Sequence, residues 1–349
     1  MTVIAAVRPV LPEHRYEQSE ITQAFLDVLG DRGVEPLVRR LHTSCKVQAR
    51  HLALPLPDYR TLADFGAAND AFIEHACALG ARALQDAVAE AGLAPADVDA
   101  VYFTTVTGIA TPSIEARIAQ QVGLRPDVKR IPMFGLGCVA GAAGIARLHD
   151  YLRGAPGEVA VLLSVELCSL TLQRGDRSVP HLVASGLFGD GAAAVVACGD
   201  RRGAFGPSVV DSRSHLYPDS QRTMGWDVTG AGLNIVLDVN VPAVVRTYLG
   251  EDVRGFLADH GLTTADVSAW VCHPGGPKVI EAVQDALGLP GNAVELTWRS
   301  LAAVGNLSSA SVLHVLRDTI DKHPPSGTPG LVIAMGPGFC AELVLIRWP

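Results

Sequence analysis

Apolar residues recur along this chain in two patterns, one repeating every three or four positions and one running nearly unbroken over a few residues. The first predicts amphipathic helices over 67–91, with Phe72, Ile73, Ala76, Leu79 and Leu84 on one side, and over 244–260, with Val245, Leu249, Val253 and Phe256. The second predicts buried strands at 100–103, 159–164, 269–272 and 330–334. Helical patterns rich in small residues cover 139–152 and 307–320. Alternating helices and apolar strands point to an α/β fold of mostly parallel sheets covered on both faces.

The same order of elements occurs twice. Gly92-Leu-Ala-Pro-Ala-Asp-Val-Asp-Ala100 matches Gly261-Leu-Thr-Thr-Ala-Asp-Val-Ser-Ala269 at six of nine places, an offset of 169 residues. Near that offset Gly137-Cys138 has a counterpart in Gly305-Asn306, each opening a small-residue helix. The chain therefore reads as two pseudo-symmetric halves, 1–210 and 211–349, with a polar, turn-rich seam around 199–230.

Charge narrows the function. A net charge of −8, without clustered Lys and Arg, argues against a nucleic-acid surface. No apolar run reaches the roughly 18 residues of a membrane helix, and the apolar start Met1–Arg8 is too short for a signal peptide. Seven cysteines without a C-x-x-C pair predict neither a disulfide framework nor a zinc site, so a cytoplasmic protein with reduced thiols is expected. Charged residues make up only 18% of the chain, which fits an oligomer that hides surface.

Three polar residues fall at element boundaries on the face where ligands gather in parallel sheets. Cys138, in Phe134-Gly-Leu-Gly-Cys-Val-Ala-Gly-Ala-Ala-Gly144, is flanked by glycines that permit a tight turn and place its thiol at a helix N-terminus, where thiolate is favoured. His273 ends a strand in Val271-Cys-His-Pro-Gly-Gly-Pro277, and Asn306 begins a helix in Val304-Gly-Asn-Leu-Ser-Ser-Ala310. A nucleophilic thiol with two donors aimed at one point suits acyl transfer through a thioester. Cys45, Cys77, Cys198 and Cys340, and His149 and His314 in helix patterns, read as packing residues.

Gly135-Leu-Gly-Cys-Val-Ala-Gly141, Leu187-Phe-Gly-Asp-Gly-Ala-Ala193, His273-Pro-Gly-Gly-Pro277 and Gly305-Asn-Leu-Ser-Ser-Ala310 together resemble the motifs of the thiolase superfamily. Within it they resemble the type III polyketide synthases related to chalcone synthase, in order and at similar spacing. The resemblance implies a duplicated five-layer α-β-α-β-α fold, a homodimer, and no metal or organic redox cofactor. It implies that Cys138 accepts an acyl group from acyl-CoA, while His273 and Asn306 promote decarboxylation of malonyl-CoA and stabilise the enolate for condensation. Phe188 matches the gate between the coenzyme A tunnel and the cavity. Val106, Cys168, Thr171, Trp226, Ile235 and Ser308 match cavity-lining positions, and Glu166 matches part of a polar network.

Departures from the plant enzymes bear on the substrate. Ile235 stands for a second Phe, Val106 and Cys168 for threonines, Met335 for the Phe of a Gly-Phe-Gly-Pro-Gly loop, and Thr111 for a Met that reaches the partner's cavity. Lys46, Arg50, Gly276 and Lys278 are expected to bind coenzyme A, with Arg39 and Arg40 as further cations. The set resembles most the bacterial alkylpyrone and alkylresorcinol synthases, and its apolar wall favours a fatty-acyl starter. Alternatives are synthesis of tetrahydroxynaphthalene from malonyl-CoA alone, a single-condensation β-ketoacyl synthase III, and a catalytically silent acyl-CoA-binding partner. A papain-type hydrolase fits less, because its Cys, His and Asn lie in another chain context.

Overall fold

Asp64 caps the long helix Phe65–Glu90 by accepting from the Ala67 N–H at 2.9 Å, and Phe72, Ala76, Leu79, Ala83, Leu84 and Ala87 form its buried stripe. This is the first amphipathic pattern of the sequence, begun two residues earlier by its cap. The second becomes the helix Val241–Asp259. The computed structural model describes residues 1–30 and 32–349.

Among the described residues, nine strands form one mixed sheet, in the order Ala269–Cys272, Pro329–Gly336, Cys340–Arg347, Ser208–Leu216, Thr2–Val10, Asp190–Gly199, Val159–Leu167, Ala100–Thr104 and Lys129–Met133. About its midpoint the order is palindromic, the last strand apart, as duplication requires. Only Thr2↔Val209 and Val3↔Ser208 pair across the middle, so the sheet is two half-sheets joined by a short ladder.

The expected mostly parallel arrangement is not what forms. Three strand pairs are parallel and five antiparallel. Val159–Leu167 and Asp190–Gly199 are buried at every position yet run antiparallel to each other. Their unbroken apolar character reports cover on both faces, not strand direction. The seam also differs from expectation, because Ser208–Leu216 is a strand running through the 210/211 position and Met224–Thr229 pairs with Gly232–Leu237 in a hairpin. Polar Asp211–His215 is accommodated because the helix Val241–Asp259 supplies partners. Arg213 pairs with Asp259 and lies 4.9 Å over the Phe256 ring, and His215 faces Asp252 at 2.9 Å.

Five layers follow from the packing. Phe65–Glu90 and Ile114–Val122 cover one outer face, and Val241–Asp259 with Pro277–Leu287 covers the other. Between the half-sheets lie Ala140–Gly154 and Ser311–Ile320, each preceded by a 3-10 turn, Gly137–Val139 or Ser308–Ala310. Most positions of these middle helices are buried against apolar neighbours, and small residues stand where they approach closely. A Cβ at Gly141 would stand 2.3 Å from the Ser309 carbonyl oxygen and 2.6 Å from Val312.

Gly141→Ala is expected to destabilise the fold by about 3 kcal/mol, at the upper end of overpacking costs, because a backbone atom of the other half blocks the methyl group. Chemical denaturation measures it, and an unchanged midpoint would contradict so close an approach.

Candidate active site

The turn Gly137–Val139 is held from outside by the 336–338 loop. Gly137 has φ 56°, and a Cβ there would lie 2.6 Å from the Pro337 ring. Cys138, in the middle of this turn, is 6% exposed, and its Sγ lies 3.7 Å from the Ser308 Oγ. Burial pushes the thiol up to about 12, aided by the Glu166 charge, while hydrogen bonds from Ser308 and Asn306 oppose it. The helix N-terminus expected to favour thiolate is outweighed in this site by loss of water.

Asn306 ties three segments together. Its N–H donates to the Leu187 carbonyl and its carbonyl accepts from the Gly189 N–H, both at 2.9 Å, forming a bridge beside Phe188. Its Oδ1 accepts from the Ser308 N–H at 2.8 Å, which orients the amide, and Nδ2 makes a 3.4 Å contact with the Gly275 carbonyl. His273 continues from the strand Ala269–Cys272, donating its N–H to the Ile333 carbonyl at 2.8 Å. Its ring is buried with both nitrogens unpartnered, and burial drives it down to about 3, so the imidazole is neutral at ordinary pH. Cys138, Asn306 and Ser308 are thus brought together, and Asn306 links them to the His273-Pro-Gly-Gly loop.

An apolar chamber opens at Cys138. Val106, Cys168, Phe188, Trp226, Ile235 and Ser308 line it, all six expected from the sequence. The hairpin forms one wall, where Trp226 and Ile235 are directly paired and alternation adds Met224 and Leu237. Those two, with Thr107 and Pro337, were not foreseen; strand periodicity was the available signal for Met224 and Leu237. Thr171 lines an adjoining cavity that shares Cys168, Phe188, Trp226 and Ile235 with the chamber. Burial and the neighbouring Glu166, Asp190 and Cys138 charges raise the Cys168 thiol well above its ordinary range. Glu166 is fully buried and accepts from the Val106 N–H at 3.1 Å, the Thr107 Oγ1 at 3.0 Å and the Ser309 hydroxyl. Burial nevertheless raises its carboxyl above the usual range.

Two expectations are corrected. Arg50 is 3% exposed, donating from Nε to Gln18 at 3.0 Å and from Nη1 to the Phe188 carbonyl at 2.6 Å, so it is not a phosphate ligand at a tunnel mouth. Met335 packs in the C-terminal core with Phe339, and Pro337, two residues on, lines the chamber instead. Lys46 and Lys278 are exposed, Gly276 is buried with φ 138°, and Thr111 is exposed on a loop away from its own chamber.

Comparison with known proteins fits this geometry. Residues 1–201 match the N-terminal domain of chalcone and stilbene synthases, and residues 208–348 match the C-terminal domain. The chain belongs to the chalcone and stilbene synthase family. It is a type III polyketide synthase, an acyltransferase with the thiolase-like fold. It is 56% identical to the 1,3,6,8-tetrahydroxynaphthalene synthase of Streptomyces peucetius subsp. caesius, over 99% of this chain and 93% of that one. A putative chalcone synthase of Bacillus subtilis is 33% identical over 100% of this chain and 99% of its own. The crystal structure of the Streptomyces coelicolor tetrahydroxynaphthalene synthase, a bacterial type III polyketide synthase, superposes with a TM-score of 0.94 at 30% identity, covering 99% of both chains.

In this synthase Ser308 is the hydroxyl that opposes the effect of burial on the Cys138 thiol. Ser308→Ala removes a bond that favours thiolate, so the thiol pKa rises further and alkylation at fixed pH slows. The pH profile of iodoacetamide alkylation should move about one pH unit higher, the value of one bond to a charged group. An unchanged profile would exclude the contact.

Proposed function

We propose that this polyketide synthase makes tetrahydroxynaphthalene, the product named for its 56% identical Streptomyces peucetius relative, and that it builds it from malonyl-CoA alone. That identity, spread over 99% of the chain, is the observation that carries the reading. Cys138 is the nucleophile: its sulfur attacks the starter thioester carbonyl, the carbon–sulfur bond to coenzyme A breaks, and the thiol proton passes through His273 to the departing thiolate. A second malonyl thioester then loses CO2, leaving negative charge on its carbonyl oxygen. The neutral His273 ring and the Asn306 amide, whose Nδ2 has only the 3.4 Å contact to Gly275, supply two donors for that oxygen. The enolate carbon attacks the Cys138 thioester, a carbon–carbon bond forms, and the cysteine is released for the next round. Glu166 lies behind the chamber, where it fixes Thr107 and Ser309 through their hydroxyls, and Phe188 stands as the gate toward coenzyme A. Lys46 and Lys278, both exposed, and the buried Gly276 remain the candidate coenzyme A contacts.

A fatty-acyl starter is the second reading. The adjoining cavity favours it, because Ile21, Ala24, Phe25, Val28 and Leu52 give it an apolar wall able to hold an alkyl chain. Purified protein given malonyl-CoA alone is expected to yield a multiply condensed aromatic product by mass spectrometry, and Cys138→Ala none. A requirement for acyl-CoA would replace the first reading with the second. A single β-ketoacyl product, or product from Cys138→Ala, would sink the condensation scheme itself.

We further read the halves 1–210 and 211–349 as the two units that jointly complete the site, the first giving Cys138 and the second His273 and Asn306. The protein is placed in the cytoplasm, where coenzyme A thioesters occur, as a homodimer. Support for the dimer comes from the sheet edge Lys129–Met133, which pairs on one side only, beside Phe134, 58% exposed, and Ile109, 44% exposed. Ile109 lies two residues from Thr111, which such a dimer would carry toward the partner's cavity. Phe134→Glu should convert a dimer to a monomer in light scattering; a wild-type monomer would contradict the assignment.

A further inference from the structure

Two residues that line the adjoining cavity, Arg50 and His181, each hold a buried polar atom without a partner, Nη2 and Nε2 respectively. Both residues are deeply buried, at 3% and 4% exposure, and the condensation scheme uses neither. A buried donor or acceptor without a partner is costly, so a pair of them on one cavity calls for a ligand that satisfies both.

Their chemistry is complementary. The Arg50 guanidinium is pinned through Nε to Gln18 and through Nη1 to the Phe188 carbonyl, which leaves Nη2 as a charged donor beside the chamber wall. No carboxylate forms an ion pair with it among the described residues. His181 lies farther along, its ring 6.0 Å from that of Phe25. Its Nδ1 is 3.9 Å from the Asp176 carboxylate, and burial favours the neutral ring. The ring also bonds the Gln173 carbonyl, and since Nε2 has no partner that bond falls to Nδ1–H, which leaves Nε2 as an acceptor.

We propose that Arg50 and His181 bind the oxygens of a growing poly-β-keto chain, Arg50 donating to a keto or enolate oxygen and His181 accepting from an enol hydroxyl. This rests on the polyketide reading and names the chain that the adjoining cavity selects. A chain extended from Cys138 past Cys168, Phe188, Trp226 and Ile235 enters the cavity beside Arg50, since Arg50 is bonded to Phe188 itself. Oxygen on alternate carbons, and enolisation between them, provide both an acceptor and a donor. A saturated alkyl chain provides neither and would bury both orphaned atoms.

His181→Leu removes the acceptor and leaves the bonds at Phe188 in place. With malonyl-CoA alone, the ratio of the most extended product to the triketide lactone should fall at least tenfold, read by mass spectrometry per Cys138 loaded on the intact protein. His181→Gln, with an amide oxygen near the Nε2 position, should restore part of the ratio. Arg50→Met should lower the ratio as well, but it also loses the bond to the Phe188 carbonyl, so the His181 pair decides. An unchanged ratio in His181→Leu, or a deficit in Gln equal to that in Leu, overturns the inference while leaving the polyketide reading intact. A wild-type protein that forms no condensation product overturns both.

Discussion

Helix Ala140–Gly154 lies against the turn Ser308–Ala310 because position 141 carries no side chain: a Cβ there would sit 2.3 Å from the Ser309 carbonyl oxygen. Much of the site depends on this approach. It brings the turn holding Cys138 from one half against the turn holding Ser308 from the other, and Ser308 is in turn bonded to Asn306. The middle layer is therefore more than filler between half-sheets. Its crossing point sets how near the thiol and the amide can come, and it accepts only small residues because both helices are enclosed.

That enclosure also sets the electrostatics. Cys138 and His273 are each driven toward their neutral forms by loss of water, the thiol up to about 12 and the imidazole down to about 3. Glu166 is buried just as completely but accepts several hydrogen bonds, so burial is opposed there by real donors. The difference follows from use. A structural carboxylate is surrounded by partners, whereas His273 keeps both ring nitrogens without them, as the proposed role of donor to a substrate oxygen requires. The same distinction separates the Asp190 carboxylate, which accepts from Ala53 at 2.6 Å and Ser169 at 2.8 Å, from Arg50 and His181 nearby.

The parts of the site legible in the sequence share one property. Cys138, His273 and Asn306 stand where an element begins or ends next to glycine or proline, so local pattern and chain duplication both mark them. Phe188, Cys168, Trp226 and Ile235 became legible only through family resemblance, since each alone reads as a core residue. Arg50 was misread because, with Lys46 and Lys278, it was expected to bind coenzyme A as a cation of the family's tunnel; its burial comes from contacts distant in sequence, with Gln18 and Phe188. His181 lies outside the motifs that the sequence singles out, in the first turn of the short helix Val179–Leu187, and its burial comes from tertiary packing with Phe25. Strand direction was illegible for a similar reason: cover on both faces produces the same apolar run in parallel and antiparallel strands.

Substrate choice then comes down to a wall of four side chains, Cys168, Phe188, Trp226 and Ile235, shared by the chamber at Cys138 and the cavity beyond. Apolar area alone would rank starters weakly, because a pocket distinguishes one methylene from the next by only about 1–3 kcal/mol. Polar atoms without partners discriminate more sharply, since a ligand that cannot bond them leaves them buried and unsatisfied. Both kinds of surface occur in the cavity behind this wall. Its aliphatic lining sets how much chain can enter, and Arg50 and His181 set whether that chain must carry oxygen. The guanidinium is also bonded to the carbonyl of Phe188, so the group that would recognise the chain helps fix the side chain past which it must grow.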